Sequence, residues 1–394
     1  MKYETYCLGD MCTFIDYRGK TPPKTTSGIP LITAKIVKNG MIQEPQEFIA
    51  ENYYDEWMRR GIPQKGSVVF TTEAPLGEVA RIKTDDKLAF AQRIIVLEPK
   101  TQQLNSDYLF YALQDHVLKS RIEARATGTT VIGIKAAELK KVEIDLPSLK
   151  EQKKIAMVLC SLDDKIEVNN KINENLERQA QALYQELFIN NADPEWQQGT
   201  ISDLGTVVGG STPSKSKPEY YTENGIAWIT PKDLSVNKAK FISHGENDIT
   251  ELGLKNSSAS IMPEGTVLFS SRAPIGYIAI AAGKVTTNQG FKSVIPKPEI
   301  GTAFVYYFLK HNLSIIEGMA SGSTFKEVSG STMKKVPAII PDSETLIRFN
   351  DFCKPIFSQQ QILEEQNQSL AALRDRLLPK LMSGEIDVSE EDIL

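Results

Sequence analysis

The chain has 394 residues, a length that favours two or three domains over one. Hydrophobic residues make up 41% and charged residues 24%, which excludes disordered, collagen-like and low-complexity proteins. The four cysteines form no Cys-x-x-Cys pair, no leader sequence opens the chain, and no apolar run approaches the roughly 18 residues of a membrane span. We therefore expect a cytoplasmic protein with no membrane partner. The net charge of −5 argues against a generic polyanion binder.

The sequence repeats itself with a period of about 195 residues. GIPLITAKI from Gly28 matches GIAWITPKD from Gly225, and TEAPLGEVA from Thr72 matches SRAPIGYIA from Ser271. From Gly128 onward one register holds for about sixty residues. A period this long indicates a tandem duplication of one domain and the segment after it, so the fold should have pseudo-two-fold symmetry.

Each half begins with a lobe of mixed α and β structure. Short β-branched runs punctuated by Gly and Pro predict strands, an apolar pattern with spacings of three and four predicts one helix, and a Gly/Thr/Ser loop precedes a last strand. The ranges are strands at 67–72, 93–99 and 266–271, helices at 107–122 and 302–316, and loops at 126–130 and 320–324. The fold class is α+β.

A long helix should follow each lobe. Ser148 and Glu151 have the spacing of a capping box, and apolar or Asn residues then recur at alternating spacings of four and three, as in a coiled coil. The residues predicted to pair the two helices are Leu162, Ile166, Asn173, Leu176, Leu183 and Leu187, with Ile356, Leu363, Asn367, Leu370, Leu377 and Leu381. Asn169, Ala180, Gln360 and Arg374 complete the same spacing.

The symmetry predicts an antiparallel pair of helices, with the lobes at opposite ends. Asn173 and Asn367 are equivalent in the repeat, and we expect them to hydrogen-bond across the seam. The neighbouring carboxylates Asp163 and Asp164 should be solvated on the helix surface. The predicted domains are a first lobe over residues 1–147, a helix over 148–191, a second lobe over 192–341, and a helix with a tail over 342–394.

The sequence lacks the patterns of an active site. His116, His244 and His311 have no metal-ligand spacing with Cys, Asp or Glu. There is no Gly-x-Gly-x-x-Gly motif and no P-loop motif, so neither a dinucleotide nor ATP is expected on this chain. The chain is therefore predicted to be non-catalytic, with no metal and no cofactor of its own.

Two lobes joined by a helical spacer suggest a DNA ruler. From residue 162 to residue 187 a helix spans about 38 Å, close to the roughly 34 Å of one duplex turn. Because the lobes share a scaffold and differ in sequence, their half-sites should also differ. A double-stranded DNA target made of two unequal halves with an unread gap is therefore expected.

The sequence resembles the specificity (S, HsdS) subunits of type I restriction-modification systems over nearly its whole length. The resemblance is carried by the duplication, by SRAPIG from Ser271 with NQGF from Asn288, by LPSLKEQKKI from Leu146, and by LRDRLLPKLMSGEIDV from Leu373. It implies two target recognition domains and paired helices that dock two methyltransferase subunits. It also implies that S-adenosylmethionine, ATP and Mg²⁺ belong to the methyltransferase and restriction subunits. TEAPLG departs from the pattern because Glu73 stands where the second half has Arg272.

Arg, Lys, Asn, Gln, Ser and Thr in the loops are the candidates for contact with bases and phosphates. In the first lobe we select Arg18, Lys20, Lys24, Lys35, Arg125, Thr127, Thr129 and Thr130; in the second, Thr212, Lys215, Lys217, Lys232, Arg272, Asn288, Gln289, Ser321, Ser323 and Thr324. Lys35 and Lys232 are equivalent in the repeat and therefore fit phosphate better than a base.

Other interpretations stay open for these residues and for the whole chain. A loop Lys or Ser can be solvated and idle, Gly128 and Gly322 can simply permit a positive φ, and Arg272 can pair within its own lobe. A free-standing two-lobed DNA-binding regulator and a coiled-coil scaffold that binds no DNA are the alternative functions.

Overall fold

The computed structural model describes residues 1–322 and 326–389. It divides into two compact units, one made of Met1–Ile166 with Ser369–Leu394 and the other of Glu167–Gln368. Each unit contains one lobe and parts of both long helices. Each also has two clusters of buried apolar side chains, one within the lobe and one between the lobe and the helices.

The first unit holds the strands β1–β11. They are β1 Glu4–Cys7, β2 Cys12–Asp16, β3 Ile29–Ile32, β4 Val37–Lys38, β5 Met41–Ile42, β6 Phe48–Ile49, β7 Val68–Thr72, β8 Leu76–Arg81, β9 Ala89–Phe90, β10 Ile94–Pro99 and β11 Glu143–Leu146. The helices are α1 Leu8–Met11, α2 Tyr54–Trp57, α3 Ser106–Ala112, α4 His116–Glu123 and α5 Ala136–Leu139. The long helix α6 Leu149–Gln185, with a π-helical end at Glu186–Asn190, follows them and belongs partly to each unit. Short 3₁₀ turns lie at Ala34–Ile36 and Glu51–Tyr53.

The second unit holds β12–β22. They are β12 Gln197–Thr200, β13 Gly205–Gly209, β14 Tyr221–Thr222, β15 Ile226–Ile229, β16 Phe241–Ile242, β17 Asn247–Ile249, β18 Val267–Ser271, β19 Ile275–Ala281, β20 Thr286–Thr287, β21 Lys292–Pro296 and β22 Pro337–Ile340. Its helices are α7 Ile201–Leu204, α8 Pro231–Val236, α9 Glu251–Lys255, α10 Thr302–His311, α11 Leu313–Gly318, α12 Gly330–Lys334 and the long helix α13 Ser343–Ser383, with a 3₁₀ turn at Pro218–Tyr220.

The main sheets of the two lobes share the order of four equivalent strands, which confirms the repeat, and the second sheet has β16 as a fifth strand. The main sheet has the order β2-β10-β7-β8 in the first lobe and β13-β21-β18-β19-β16 in the second. In both lobes the first strand pairs antiparallel with the strand that precedes the long helix. The hairpins β7–β8 and β18–β19 each carry a register shift before a cis-proline, at Pro75 and Pro274. The three predicted strands are present as β7, β10 and β18.

The single helix predicted in each lobe is wrong, because both helices are broken. In the first lobe the carboxylate of Asp115 accepts a hydrogen bond from the amide of Val117 at 3.0 Å, which caps α4 and separates it from α3. In the second lobe Asn312 ends α10 and donates to the carbonyl oxygen of Phe308 at 2.9 Å. Side-chain bonds to the backbone thus compete with helix continuation, although the apolar spacing runs through the break.

The start of α6 is the predicted capping box. The Ser148 amide donates to the Glu151 carboxylate at 2.8 Å, and the Glu151 amide donates to the Ser148 hydroxyl at 3.3 Å. At the start of α13 the Asp342 carboxylate accepts from the amide of Thr345 at 2.9 Å. A capped start lets each long helix begin immediately after the last strand of its lobe.

Within each unit the two long helices run antiparallel, as predicted. In the second unit Asn169 on α6 bonds Asn367 on α13 at 2.9 Å, and the Gln360 amide group donates to the carbonyl oxygen of Asn173 at 3.2 Å. Residue numbers therefore rise along one helix as they fall along the other. The predicted bond between Asn173 and Asn367 is wrong, because the register places Asn169, one turn earlier, opposite Asn367. The Oδ1 atom of Asn173 is instead buried and has no hydrogen-bond partner among the residues that the structure describes.

Several of the predicted pairing residues hold a lobe as well as the other helix. Leu176, Leu183 and Leu187 pack against the core of the second lobe, and Leu377 and Leu381 pack against that of the first. Ile356 and Leu363 are buried, while Leu162, Ile166 and Leu370 are half-buried.

The expectation that Asp163 is solvated is also wrong. Its side chain is 17% exposed, forms an ion pair with Arg374 at 2.7 Å and accepts a hydrogen bond from Tyr111 at 2.6 Å. Asp164 is exposed. In the part of the chain that the structure describes, no helix is long and apolar enough to cross a membrane.

Candidate nucleic-acid interface

Four strand ends meet at one edge of each main sheet. In the first lobe β2 and β7 end where β8 and β10 begin, because neighbouring strands are antiparallel. In the second lobe β13 and β18 end where β19 and β21 begin. We call the residues at these ends the loop edge of each lobe. They are 17–24, 73–75, 91–93 and 125–134 in the first lobe, and 210–217, 272–274, 287–291, 320–322 and 326–328 in the second.

The loops of each edge are tied to one another by backbone hydrogen bonds. Gly133 pairs with both Glu73 and Thr127, and Ile134 donates to the Thr72 carbonyl oxygen at 2.9 Å. The second lobe has the same connection, because Val328 donates to the Ser271 carbonyl oxygen at 3.0 Å. Apart from Lys35 and Lys232, the described candidates of each lobe therefore lie on loops at the same edge of their sheet, and backbone hydrogen bonds connect some of these loops.

Glycine is required at one turn of the first edge. Gly128 has a φ of +128°, and a Cβ atom there would lie 2.0 Å from the carbonyl oxygen of Val131. Gly322 also has a positive φ, of +118°. Both glycines therefore permit a backbone conformation, as the alternative interpretation held. The neighbouring hydroxyls of Thr127, Thr129 and Thr130 are exposed.

Three of the five predicted cations of the first lobe form ion pairs within the lobe. Arg18 pairs with Asp16 at 2.6 Å, and the same hydrogen bond raises the pKa of Arg18. Lys24 pairs with Glu47 at 2.7 Å and Arg125 with Glu138 at 3.2 Å; each of these side chains is about a third exposed. Pairs at this exposure contribute roughly 0–1 kcal/mol, so exchange for a phosphate costs little.

Lys20 and Lys35 are exposed, and no ion pair to either is found among the described residues. The segment that carries Lys35 lies beside the loop edge, because Ala91 donates to the Ile32 carbonyl oxygen at 3.1 Å. Both side chains are therefore available to a phosphate without prior loss of a partner.

In the second lobe three of the four predicted cations lie close to an acidic side chain. Lys232 pairs with Glu246 at 2.6 Å, a hydrogen bond that raises the pKa of Lys232. Arg272 pairs with Glu327 at 3.5 Å, which agrees with the alternative of an intralobe ion pair. Lys217 lies 3.8 Å from Glu219, and Lys215 is exposed.

The predicted amides and hydroxyls of the second lobe have mixed environments. Asn288 uses its Oδ1 atom to accept a hydrogen bond from the amide of Gly290 at 2.8 Å, so that side chain shapes a turn. The Thr212 hydroxyl donates to the Gln289 side chain. Ser321 is exposed on the edge. Ser323 and Thr324 lie outside the described residues.

Gln92 and Arg93 lie at the first loop edge and Lys292 lies next to the second, although none of them was predicted from the sequence as a contact residue. The Gln92 side chain donates to the Thr21 hydroxyl, which repeats the contact between Thr212 and Gln289 in the other lobe. A signal for this pair was present, because the offset of 197 that relates Gly28 to Gly225 also relates Gln92 to Gln289.

Arg93 and Lys292 become visible only in three dimensions. Arg93 has a φ of +65° and pairs with Glu73 at 3.0 Å, and Lys292 lies 3.5 Å from Glu327. The strand register alone brings these cations beside loops that are distant in sequence. Among the described residues, no group of three or more His, Cys, Asp or Glu side chains is placed to hold a metal ion.

Comparisons with known proteins identify the family. The model of the type I restriction modification DNA specificity domain matches residues 1–178 and 194–376. The chain is 41% identical over 191 residues to the type I restriction enzyme MjaIX specificity subunit of Methanocaldococcus jannaschii, which covers 46% of this chain and 44% of that protein. It is 24% identical over 402 residues to the type I restriction enzyme HindI specificity subunit of Haemophilus influenzae, which covers 82% of this chain and 87% of that protein.

A solved structure supports the same fold. The type I restriction-modification system S subunit from M. genitalium superposes with a TM-score of 0.59 at 18% identity, covering 96% of each chain. With two copies of the domain matched and the duplicated architecture shared, the chain belongs to the type I restriction-modification DNA specificity family.

Proposed function

We propose that the chain reads a double-stranded DNA target of two unequal halves, one half with each loop edge. The proposal is supported by the repeat, which places two equivalent surfaces rich in Arg, Lys, Thr and Gln on one scaffold. The α6 helix has 37 residues and so spans about 55 Å, enough to separate two half-sites by one duplex turn of about 34 Å or more.

The observation that carries the proposal is a reversal of charge at one pair of equivalent positions, Glu73 and Arg272. The first lobe has Glu73 paired with Arg93, and the second has Arg272 paired with Glu327. Arg favours guanine through its O6 and N7 acceptors, whereas a carboxylate favours the amino group of cytosine. Two lobes that share a scaffold and present opposite charges at this position of the loop edge should select different bases.

We assign the methylation and cleavage of DNA to partner subunits. We propose that two methyltransferase subunits dock on the long helices, that restriction subunits join through them, and that S-adenosylmethionine, ATP and Mg²⁺ are bound by these partners. Exposed apolar side chains on α6 and α13 support docking, since Val168 and Ile172 are 48% and 40% exposed and Phe352 and Ile362 are 41% and 48% exposed. The four free cysteines fit the reducing cytoplasm proposed for this complex.

Adenine methylation tests the proposal. The chain is co-expressed with a type I methyltransferase subunit from the same genome, and methylated adenines are mapped by single-molecule sequencing. A single motif with two unequal halves and a fixed gap is expected. The methyltransferase without this chain is the control and should leave the motif unmethylated.

Two other outcomes would contradict the proposal. A purified complex that adds no methylation and shows no sequence preference would favour a scaffold that binds no DNA. Tight, sequence-selective binding of DNA by the isolated chain, with no methylation when the partner is present, would favour a free-standing regulator.

A further inference from the structure

Each lobe contains a buried cation where it meets the long helices. Arg81, the last residue of β8, is 9% exposed. Lys240, immediately before β16, is 6% exposed. A buried cation is costly unless its partners are close and well oriented, so both sites need their surroundings explained.

In the first unit Arg81 joins the lobe to α6. Its guanidinium donates to Asp107 at 2.7 Å and to the Cys160 sulfur at 2.9 Å, and it lies 4.6 Å from the ring centre of Phe110. The carboxylate of Asp163 lies 4.0 Å away. Because Cys160 and Asp163 are on α6 and the other partners are in the lobe, the cation contacts both parts at once.

In the second unit Lys240 has the same position between lobe and helices. Its ammonium group forms an ion pair with Glu177 on α6 and donates to Gln360 on α13 at 2.7 Å. The rings of Phe357 and Tyr306 lie 4.2 Å and 4.9 Å from the nitrogen. The Lys240 ammonium group therefore holds the Glu177 carboxylate in place, and the two aromatic rings surround the ammonium group.

A tyrosine completes both sites in the same way. The Tyr111 hydroxyl donates to Asp163 at 2.6 Å, and the Tyr307 hydroxyl donates to Glu177 at 2.9 Å. Both tyrosines follow an aromatic residue on the equivalent helices α3 and α10. The arrangement of cation, aromatic pair, tyrosine hydroxyl and helix carboxylate therefore occurs once in each half.

The two cations come from different strands, so Arg81 and Lys240 are not equivalent residues in the repeat. The register that aligns TEAPLG with SRAPIG places Ile280 at the position of Arg81. The carbonyl oxygen of Lys240 accepts from the Ile280 amide at 2.7 Å, whereas in the first lobe Gly40 bridges to Ala80 beside Arg81. Where one lobe has Gly and Arg, the other has Lys and Ile.

The first site leaves little space for a side chain at residue 40. A Cβ atom at Gly40 would lie 3.2 Å from the Phe110 ring, the ring that Arg81 covers. The two lobes therefore differ at both strand positions, yet each keeps one cation in the same surroundings. Apolar packing has no such requirement, because it is not directional.

We propose that Arg81 and Lys240 are positioning residues that fix the orientation of each lobe on its helices and so determine the gap between the half-sites. The inference rests on the proposed function for its consequence on DNA. A charge held by a carboxylate, an amide and aromatic rings has one favourable geometry, and any rotation of the lobe leaves a buried charge unpaired.

The orientation is measured first, without DNA. Spin labels on p-acetylphenylalanine at Lys215 in the second lobe and at Arg348 on α13 report one distance in the full chain, and both positions are exposed. Wild type and Lys240→Arg should give one narrow distribution in double electron–electron resonance. Lys240→Met should broaden it about twofold, because an apolar chain keeps the volume and loses the direction.

A matched control tests whether the effect depends on the buried position of Lys240 or only on the loss of a positive charge beside Glu177. Lys310 pairs with the same Glu177 at 2.7 Å and is 39% exposed, so Lys310→Met should leave the distribution narrow. Lys240→Gly with Ile280→Arg transfers the cation to the strand that carries it in the first lobe and should be narrower than Lys240→Gly alone. A Lys240→Met distribution as narrow as wild type, with the same melting temperature, would overturn the proposal.

Methylation then tests the consequence for the gap. With the methyltransferase present, Lys240→Met should lower the preference for the native gap over a gap one base pair longer by about tenfold, while the two half-sites stay unchanged. Broadened distances with unaltered gap preference would refute the link to DNA spacing. A wild-type complex that methylates no bipartite motif would refute the proposed function, while the distance measurement would still decide the role of Lys240.

Discussion

The two lobes share the strand order of their main sheet and carry opposite charges at one equivalent position of the loop edge. At the loop edge the first lobe has the acid Glu73 where the second has the base Arg272. Their partners are reversed as well, with Arg93 beside the acid and Glu327 beside the base. The buried cation also comes from different strands. The two lobes thus share a backbone fold, and a few side chains determine which charged groups each lobe presents.

The lobes have one loop-edge hydrogen bond in common and differ in their charged residues. The bond between Thr21 and Gln92 recurs between Thr212 and Gln289, so it supports the loop edge in both lobes. A feature present in both lobes cannot account for unequal half-sites. The reversed charges can, and mutations at the two kinds of position should therefore behave differently.

The largest expected effect is at the second-lobe cation site. Burial opposes ionisation of Glu177, but Lys240 and Lys310 outweigh it and lower its pKa to about 2 from 4.5. A lowered carboxyl pKa stabilises the fold above pH 4.5, and the contribution disappears as the pH falls toward 2. Glu177→Gln should therefore cost up to about 3 kcal/mol at pH 7, with its unfolding free energy converging on that of wild type in acid.

Urea unfolding between pH 7 and 2 checks this, followed by tryptophan fluorescence in a Trp57→Phe background so that Trp196 and Trp228 report the second lobe. Glu174→Gln is the control, because Glu174 is 64% exposed on the same helix. Parallel pH curves for Glu177→Gln and wild type would contradict the expected linkage.

The next effect distinguishes the loop edges. Arg272→Ala should weaken binding of the methyltransferase complex to its target by about 10- to 100-fold, the roughly 1–3 kcal/mol of one base contact. Glu73→Ala should cost less than Arg272→Ala, because loss of the carboxylate contact to cytosine is partly offset by removal of a negative charge near phosphates. Fluorescence anisotropy with the cognate duplex measures both. Equal losses would show that the charge reversal does not distinguish the lobes.

A smaller and symmetrical effect is expected for the shared pair. Thr21→Val and Thr212→Val each remove one hydroxyl contact of about 1 kcal/mol, so each should weaken binding about fivefold. Each should act on its own half-site, measured with duplexes that carry one altered half. Thr13→Val, exposed at the opposite end of β2, is the control. An effect in one lobe only would show that the Thr–Gln contact does not have the same role in both lobes.

The smallest effect concerns the equivalent lysines. Lys35 has no ion pair among the described residues, whereas Lys232 pairs with Glu246 at 2.6 Å. If both bind phosphate, Lys35→Ala should lower the slope of log affinity against log salt by about 1, and Lys232→Ala by less, because its partner must first be released. Binding titrations from 50 to 200 mM salt, roughly, measure the slopes. A larger change for Lys232→Ala would reverse the expected order.

The sequence determined the architecture of this protein almost completely. The repeat predicted two lobes, and the capping box at Ser148 predicted the start of α6. The spacing of four and three predicted two long helices, and the symmetry of the repeat predicted that they pair antiparallel. These features are local or periodic, so they are visible in one dimension. The pattern also placed most candidate residues in loops that meet at one edge.

Tertiary structure decided what depends on register and on contact between distant segments. The antiparallel register put Asn169 rather than Asn173 opposite Asn367, and an Asp115 cap divided a helix whose apolar spacing is continuous. The cation sites at Arg81 and Lys240 draw partners from the sheet, from the lobe helices and from the long helices. No pattern along the chain encodes such a site, because its members come together only when the lobe packs on the helices.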